Sequence, residues 1–277
     1  MKNNIILLLA VFATSFTFGQ SKEKIKGIKT VTIESKKTED FTQILVEDNL
    51  EIFLVKGEQC ALEVETDENL HEVIQFENNG GSLRIFTSKD VTRAKKLNIR
   101  VTYTDSLKTV TMKNQSVLNA LSEIQLPDIT INNMDNSKSF MNVNAAKFKL
   151  TANDKTRIEL NLKSENATVE LSKNAQLKAL IAANTFKLDM YQKTTATIEG
   201  DVSELKLRLD NNSILTGKNL IANIGDIVVE QYANCTLFVN QNLSIDASGK
   251  AEINLYGAPK VEMKNFAGSA TLFKREK

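Results

Sequence analysis

Short apolar strands recur along the chain from Leu107 onward, each followed by a polar segment rich in Asn, Ser and Thr. In each repeat, two apolar residues flank a single residue that is usually polar. The pairs are Val110/Met112, Ile129/Ile131, Phe148/Leu150, Val169/Leu171, Phe186/Leu188, Leu205/Leu207, Ile227/Val229, Leu243/Ile245 and Val261/Met263. Successive pairs lie 16 to 22 residues apart, with a mean close to 19. Such a period indicates a repeat architecture.

The alternation of side chains along a strand gives each repeat one apolar face and one polar, solvent-exposed face. A strand of three residues cannot bury its apolar face alone, but turns stacked about 4.8 Å apart line these residues into one core. The pattern therefore predicts an all-β fold, a parallel β-solenoid (β-helix) of about nine turns. No interval contains a helical period long enough for a crossover helix, which excludes a doubly wound α/β sheet. An antiparallel sandwich of short strands remains the alternative.

Asparagine is concentrated in the repeats, with 21 in residues 107–273 against 7 in residues 1–106. Asn tolerates left-handed backbone geometry and hydrogen-bonds to its local backbone, so it forms tight corners without glycine. We expect Asn side chains at the corners of successive turns, where stacked amides can form ladders. The expected positions are Asn114, Asn133, Asn136, Asn153, Asn174, Asn211, Asn212, Asn234 and Asn265.

Residues 30–105 have a different pattern. Short alternating stretches predict strands at 31–33, 44–46, 50–55, 62–64, 83–86 and 98–101, and residues 67–74 resemble a short helix with an acidic start. Because the open first turn of a solenoid needs a cover, we interpret 30–105 as a β-rich N-terminal capping region, preceded by a linker at 20–29. The repeats then occupy 106–273, and the charged tail at 274–277 is suited to discourage end-to-end stacking.

The N-terminus has the pattern of a signal peptide over residues 1–19. Lys2 is followed by an apolar run from Ile5 to Phe12 and then by small and polar residues up to Gly19. The run is too short to cross a bilayer. We therefore expect export to the periplasm, the cell surface or the medium, with no membrane insertion of the mature chain.

Composition removes several function classes. The chain has 35 Lys and Arg against 34 Asp and Glu, so there is no overall field that would attract nucleic acid. One histidine and two cysteines exclude a His/Cys metal site, and no cofactor is expected. We expect His71 to be an exposed helix residue. Cys60 and Cys235 are expected to be separate buried thiols, with a disulfide as the minor alternative.

Several blocks of the sequence, taken in order, resemble a known family. They are residues 41–44, 50–58, 62–70, 81–85, 243–251 and 256–261. The family is described as a "putative auto-transporter adhesin" with a "head GIN" domain and is common in Bacteroidetes. The resemblance covers roughly residues 38–277 and implies an exported, right-handed β-helical domain with an adhesin role and no catalytic residues. The small-residue corners of the family are kept mainly at 248–251 and 267–269, and Asn, Lys and Gln replace them elsewhere.

The position after each apolar pair is a candidate for surface chemistry. If the turns stack as the pairs suggest, Asp189, Arg208, Glu230 and Asp246 occupy four consecutive turns. Two carboxylates one turn apart, Glu230 and Asp246, have the chemistry to share a cation such as Ca²⁺ or to raise one pKa. A solvated ladder of mixed charge is the simpler interpretation, and we predict no metal site.

Aromatic residues offer a second candidate surface. Tyr191, Tyr232 and Phe266 each lie three positions after an apolar pair, in the fifth, seventh and ninth turns. Such a grid is suited to stacking on sugar rings, but it skips every second turn and the chain has no Trp, so we favour packing at the corners.

These patterns favour an exported, non-enzymatic β-helix protein that binds a glycan or another protein at the cell envelope in the manner of an adhesin. A polysaccharide lyase or hydrolase that uses the carboxylate and arginine ladder is one alternative. A structural or stress-associated envelope component is the other. The sequence does not determine the oligomeric state.

Overall fold

The computed structural model describes residues 22–276. The predicted signal peptide 1–19, the first residues of the predicted linker and Lys277 lie outside this range. The fold is all-β, with 69% of residues in strands that stack as parallel coils into a β-solenoid of about nine turns. This confirms the predicted architecture over the antiparallel sandwich. Across residues 22–276, no helix has the length and apolar character needed to span a bilayer.

The N-terminal part contains nine strands and one 3-10 turn. They are β1 (Lys24–Lys26), β2 (Val31–Lys36), β3 (Gln43–Val46), β4 (Glu51–Lys56), β5 (Ala61–Asp67), the 3-10 turn Glu68–Leu70, β6 (Ile74–Asn79), β7 (Ser82–Thr87), β8 (Asp90–Thr92) and β9 (Leu97–Tyr103). The repeats follow as β10 (Thr109–Met112), β11 (Val117–Asn133), β12 (Lys138–Ala152), β13 (Arg157–Leu171), β14 (Gln176–Met190), β15 (Thr195–Leu209), β16 (Ile214–Val229), β17 (Asn234–Ala247), β18 (Glu252–Tyr256), β19 (Lys260–Phe266) and β20 (Thr271–Lys274).

Each full turn has two straight segments, and β13 shows how they form. In its first segment, Ile158, Leu160 and Leu162 point inward and are buried. The alternation of burial breaks at residues 163–166, and in the second segment Ala167, Val169 and Leu171 point inward. Because the inward residues of the two segments face each other, they bury one continuous core along the solenoid. We call the outer surface of the first segments the front face and that of the second segments the back face.

The register between turns is more regular than the sequence pairs suggest. Val110, Ile131, Leu150, Val169, Leu188, Leu207, Ile227, Ile245 and Met263 stack in one column, at intervals of 21, 19, 19, 19, 19, 20, 18 and 18 residues. The pairs Val110/Met112, Val169/Leu171 and Ile227/Val229 therefore lie two residues beyond the positions that are equivalent to the other pairs, and the predicted register was wrong there. Ala167 and Gly225 occupy the true positions, and they escape a search for large apolar residues.

The four-residue corners after the second segments have left-handed backbone geometry at their second position. This position is held by Asp48, Asn114, Asp135, Asp154, Lys173, Gln192, Asn211, Gln231, Gly249 and Gly268, all with φ between +51° and +74°. Only two of these residues are the expected Asn. Backbone bonds hold the corners in the stack instead, for example from Asn136 N to Asn114 O at 2.8 Å and from Lys155 N to Asp135 O at 2.7 Å. Residues that rarely adopt positive φ are therefore accepted here.

The N-terminal end of the solenoid is closed by strands that reverse direction. β3 and β4 pair in parallel with β10 and β11, so the parallel stack continues into the predicted capping region. β7 and β9 add one more parallel strand to each sheet. β6, β5 and β2 then pair antiparallel and end the stack. The boundary near residue 106 stays a prediction.

The predicted helix at 67–74 is reduced to one 3-10 turn, and His71 after it is buried, with 5% of its surface exposed. The expectation of an exposed histidine was wrong. Strand β2 passes over the ring, and Thr32 Oγ1 lies 2.8 Å from His71 Nε2.

The C-terminal end has two features that oppose pairing with another sheet. Lys274 pairs with the buried Leu255 and therefore stands at a position of the edge strand where other turns point an apolar residue inward. The ladder between β17 and β19 also contains a register shift after Ile245. Inward charges and bulges at edge strands oppose edge-to-edge association, and the same role for the whole charged tail 274–277 stays a prediction.

We predict that Gly200→Ala is strongly destabilising. Gly200 has a φ of +119°, and a Cβ atom would overlap the carbonyl oxygen of Ile181 in the previous turn. The expected loss is about 3 kcal/mol of unfolding free energy, measured by urea denaturation. Gly80→Ala is the control, because Gly80 also has a positive φ but no atom within 4 Å of the added Cβ. Equal losses in the two variants would contradict the proposed overlap.

The cysteines are free and separate, with Cys60 half-buried and Cys235 fully buried. Burial raises the pKa of the Cys235 thiol to about 12, so almost no thiolate is present at neutral pH. We predict that Ellman's reagent titrates only Cys60 in the folded protein and both thiols in denaturant. Cys60→Ser should abolish the reaction of the folded state, and rapid labelling of Cys235 in that variant would contradict the packing described.

Candidate functional site

The predicted charge ladder lies on the back face, but only part of it is in register. Asp189 on β14 pairs with Arg208 on β15, whereas the next turn presents Val228 before Asp246 on β17. Glu230 lies in the corner after β16 and reaches Arg208 diagonally, with 2.9 Å between Arg208 Nη2 and Glu230 Oε2. The four residues therefore do not occupy consecutive equivalent positions.

The charged side chains of this ladder form ion pairs and hydrogen bonds with other residues of the protein. Lys187 Nζ lies 2.8 Å from Asp189 Oδ2, and this hydrogen bond raises the pKa of Lys187. Asp246 Oδ1 accepts a hydrogen bond from Asn265 Nδ2 at 3.1 Å. No group of three or more His, Cys, Asp or Glu side chains suited to a metal ion occurs among residues 22–276. A binding role for the ladder stays a prediction.

The three aromatic residues do not share a position in the turn. Tyr191 is the first corner residue after β14, Tyr232 is the third corner residue after β16, and Phe266 ends β19. Burial, followed by the charge of Asp189, raises the pKa of Tyr191. Tyr232 is 57% exposed, with Lys250 Nζ 5.3 Å from its ring centre. The stacking grid suggested by the sequence is therefore absent, because it depended on the wrong register.

A groove of about 610 Å³ lies on the front face, across five turns from β11 to β15. Its floor is a grid of outward side chains in two columns. One column is Asn119, Phe140, Glu159, Lys178 and Thr197, and the other includes Asn142, Asn161, Leu180 and Glu199. Neighbouring members of a column are about 4.8 Å apart because they sit on paired strands.

The groove combines exposed apolar groups with polar groups that have no partner. Leu180 is 52% exposed and Phe140 is half-buried, although both point outward. The amides of Asn142 and Asn161 form no hydrogen bond within residues 22–276. Glu159 and Lys178 are in register on adjacent strands, yet they form no ion pair in the part of the chain that is described. Apolar surfaces with a few free polar groups are typical of ligand sites.

The apolar pairs in the sequence do not indicate this groove, because they all lie in the second segments of the turns and the groove lies on the first segments. A signal was present: Phe140 stands between the inward residues Ser139 and Met141, where alternation calls for a polar residue. Leu180 likewise stands between Ala179 and Ile181. Outward apolar residues on a regular strand are the sign that was missed.

We predict that the back-face ion pair contributes little to stability. Arg208 is 48% exposed at its side chain and Glu230 31%. Exposed pairs usually contribute less than about 1 kcal/mol, so Arg208→Ala and Glu230→Ala should change the urea midpoint only slightly. A double-mutant cycle measures the pair alone, and a coupling well above that value would show that the ladder stabilises the fold.

The family model "Putative auto-transporter adhesin, head GIN domain" matches residues 40–259. No curated protein matches the chain. Solved structures with the same fold include a "putative adhesin" from Parabacteroides distasonis, with a TM-score of 0.67, 17% identity and coverage of 90% of this chain and 99% of that one. A "putative adhesin" from Parabacteroides merdae has a TM-score of 0.64, 17% identity and coverage of 90% and 98%. A "putative lipid binding protein" from Parabacteroides distasonis has a TM-score of 0.64, 16% identity and the same coverages.

Proposed function

The chain belongs to the auto-transporter adhesin family with a head GIN domain, and on this premise we propose that it is an exported, non-enzymatic, adhesin-like protein that binds a glycan in the front-face groove. The observation that carries this proposal is the combination of Phe140 and Leu180 with the free amides of Asn142 and Asn161. Apolar side chains pack against the C–H faces of sugars, and amides both donate to and accept from hydroxyl groups.

The adhesin family supports binding without turnover, and the placement of the carboxylates in the groove bears on the same question. The carboxylates in it, Glu159 and Glu199, lie two turns apart and in different columns. Strand geometry separates their α-carbons by roughly 12 Å. The two carboxyl groups of a glycosidase are usually about 5 to 10 Å apart. A glutamate side chain is long enough to change this separation by several ångströms, so the expectation of ligand release without bond cleavage rests on the adhesin family.

Export follows in this proposal from the pattern at residues 1–19 and from the family. An adhesin acts outside the cytoplasm, where glycans of the envelope and of other cells are within reach. The periplasm, the cell surface and the medium are separated by fractionation of cells that express the full chain.

The test is a glycan array followed by calorimetry with the ligand that it identifies. Phe140→Ala and Leu180→Ala should each weaken binding by roughly 10-fold, since each removes one contact surface. Tyr232→Ala is the matched control, because Tyr232 is an exposed aromatic residue outside the groove. Circular dichroism checks that the variants fold.

Other results would decide against the proposal. Equal loss in Tyr232→Ala and Phe140→Ala would locate binding away from the groove, and unaffected binding in Phe140→Ala and Leu180→Ala would do the same. Release of reducing or unsaturated ends that is lost in Glu230→Ala and Asp246→Ala would establish the enzymatic alternative. An array without any binding, together with capture of a surface protein through Phe140, would make the partner a protein.

A further inference from the structure

A second depression lies on the same front face, closer to the N-terminal end. It has a volume of about 240 Å³ and is lined by Phe53, Glu63, Glu65, Asn98 and Arg100. Phe53 is half-buried on β4, and Asn98 and Arg100 stand on the paired strand β9. Like the groove, the depression has an aromatic ring among carboxylates, an amide and a cation, but here Asn98 Nδ2 donates to Glu65 Oε2 at 3.1 Å and Arg100 Nε lies 3.7 Å from Glu63 Oε1.

The two depressions share one column of side chains. Phe53 on β4 pairs with Asn119 on β11, and Asn119 pairs with Phe140 on β12. Asn119 Nδ2 donates to Glu51 Oε1 at 2.7 Å, along the front face. Asn119 is therefore the only column residue between the two rings.

The spacing of the Phe53 and Phe140 rings matches the repeat length of a polysaccharide. Phe53 and Phe140 are two strands apart, or about 10 Å, which is also the length of a disaccharide unit in an extended β-1,4-linked polysaccharide. Leu180 lies two strands beyond Phe140, in the neighbouring column. Apolar contacts thus recur at every second turn along the solenoid axis, with polar side chains at the turns between them.

We propose that the depression around Phe53 is a second subsite of the groove, and that the ligand is an extended β-1,4-linked polysaccharide whose chain runs along the solenoid axis. This inference rests on the proposed function, because it adds length and direction to the same groove. At the other end the column continues from Thr197 to Thr216 and Thr236. Each of these short side chains offers only one methyl group beside its hydroxyl, too small a surface to pack against a sugar ring, so we place the end of the binding track there.

The subsites make binding depend on ligand length. A disaccharide contacts one ring at a time, whereas a hexasaccharide spans the five strand spacings from Phe53 to Thr197. The second contact is then made by a ligand that is already bound, so it adds affinity at little further entropic cost.

The experiment is calorimetry with chito-oligosaccharides and cello-oligosaccharides, from disaccharide to octasaccharide. The probe protein begins at Gln20 and contains every residue that the structure describes. We expect the unmodified protein to bind the hexasaccharide of at least one series roughly 10-fold or more tightly than the disaccharide. Phe53→Ala should reduce this length dependence to the part that Phe140 and Leu180 supply, while the affinity for the disaccharide, which retains the Phe140 subsite, changes little.

The control is Phe273→Ala. Phe273 lies on the same front face and pairs with Asn254, which continues the column at the far C-terminal end, and it is 40% exposed. This variant loses an equivalent aromatic ring outside the proposed track, so its length dependence should equal that of the unmodified protein.

Failure of this inference is distinguishable from failure of the proposed function. If Phe53→Ala keeps the full length dependence while Phe140→Ala weakens binding, the groove binds a glycan but the second subsite is overturned. Absence of binding to both oligosaccharide series overturns the extended β-1,4-linked ligand, whatever the array shows. If Phe273→Ala behaves as Phe53→Ala does, the effect is not specific to the track and the inference is also overturned.

Discussion

The backbone hydrogen bonds between successive turns are the interaction on which this molecule depends. They run through both straight segments and also through the corners, where the amide of one turn donates to the carbonyl of the turn before. Outside a few register shifts, each strand residue therefore has a fixed neighbour in the next turn, about 4.8 Å away. Because the corners take part, side chains as different as Asp135, Lys173 and Gln192 occupy the same left-handed position. The backbone hydrogen bonds between turns specify the geometry of the corners, and the side chains adapt to it.

The same regularity produces the proposed binding surface. Inward residues are constrained by the core, but outward residues on the straight segments are free to vary because water covers them. Where a few turns in succession place Phe140, Asn161 and Leu180 outward, these side chains form a grid without any change in the fold. The back face carries charged pairs such as Arg208 with Glu230, which neutralise one another. One scaffold thus presents two surfaces of different chemistry.

The period of the apolar residues was sufficient to predict the solenoid, because nearly every turn places large apolar residues at its inward positions. It was not sufficient for the register, since Ala167 and Gly225 fill inward positions with small side chains. Because side chains alternate along a strand, a register error of two residues leaves the same side chains pointing inward. Such errors therefore do not affect the predicted core. A two-residue error does displace Tyr232, and the register shift between β17 and β19 displaces Phe266, which is why both seemed equivalent to Tyr191. His71 escaped prediction because its burial depends on β2, a strand distant in sequence.

The constancy of the 19-residue interval between the second segments of β11 to β15 has a consequence for how such proteins diversify. Four successive intervals, from Ile131 to Leu207, are identical. Duplication or loss of one such unit would lengthen or shorten the molecule by a single layer while each remaining layer keeps the contacts of its neighbours. The number of turns would then set the length of the groove. Relatives with more or fewer turns would bind longer or shorter ligands.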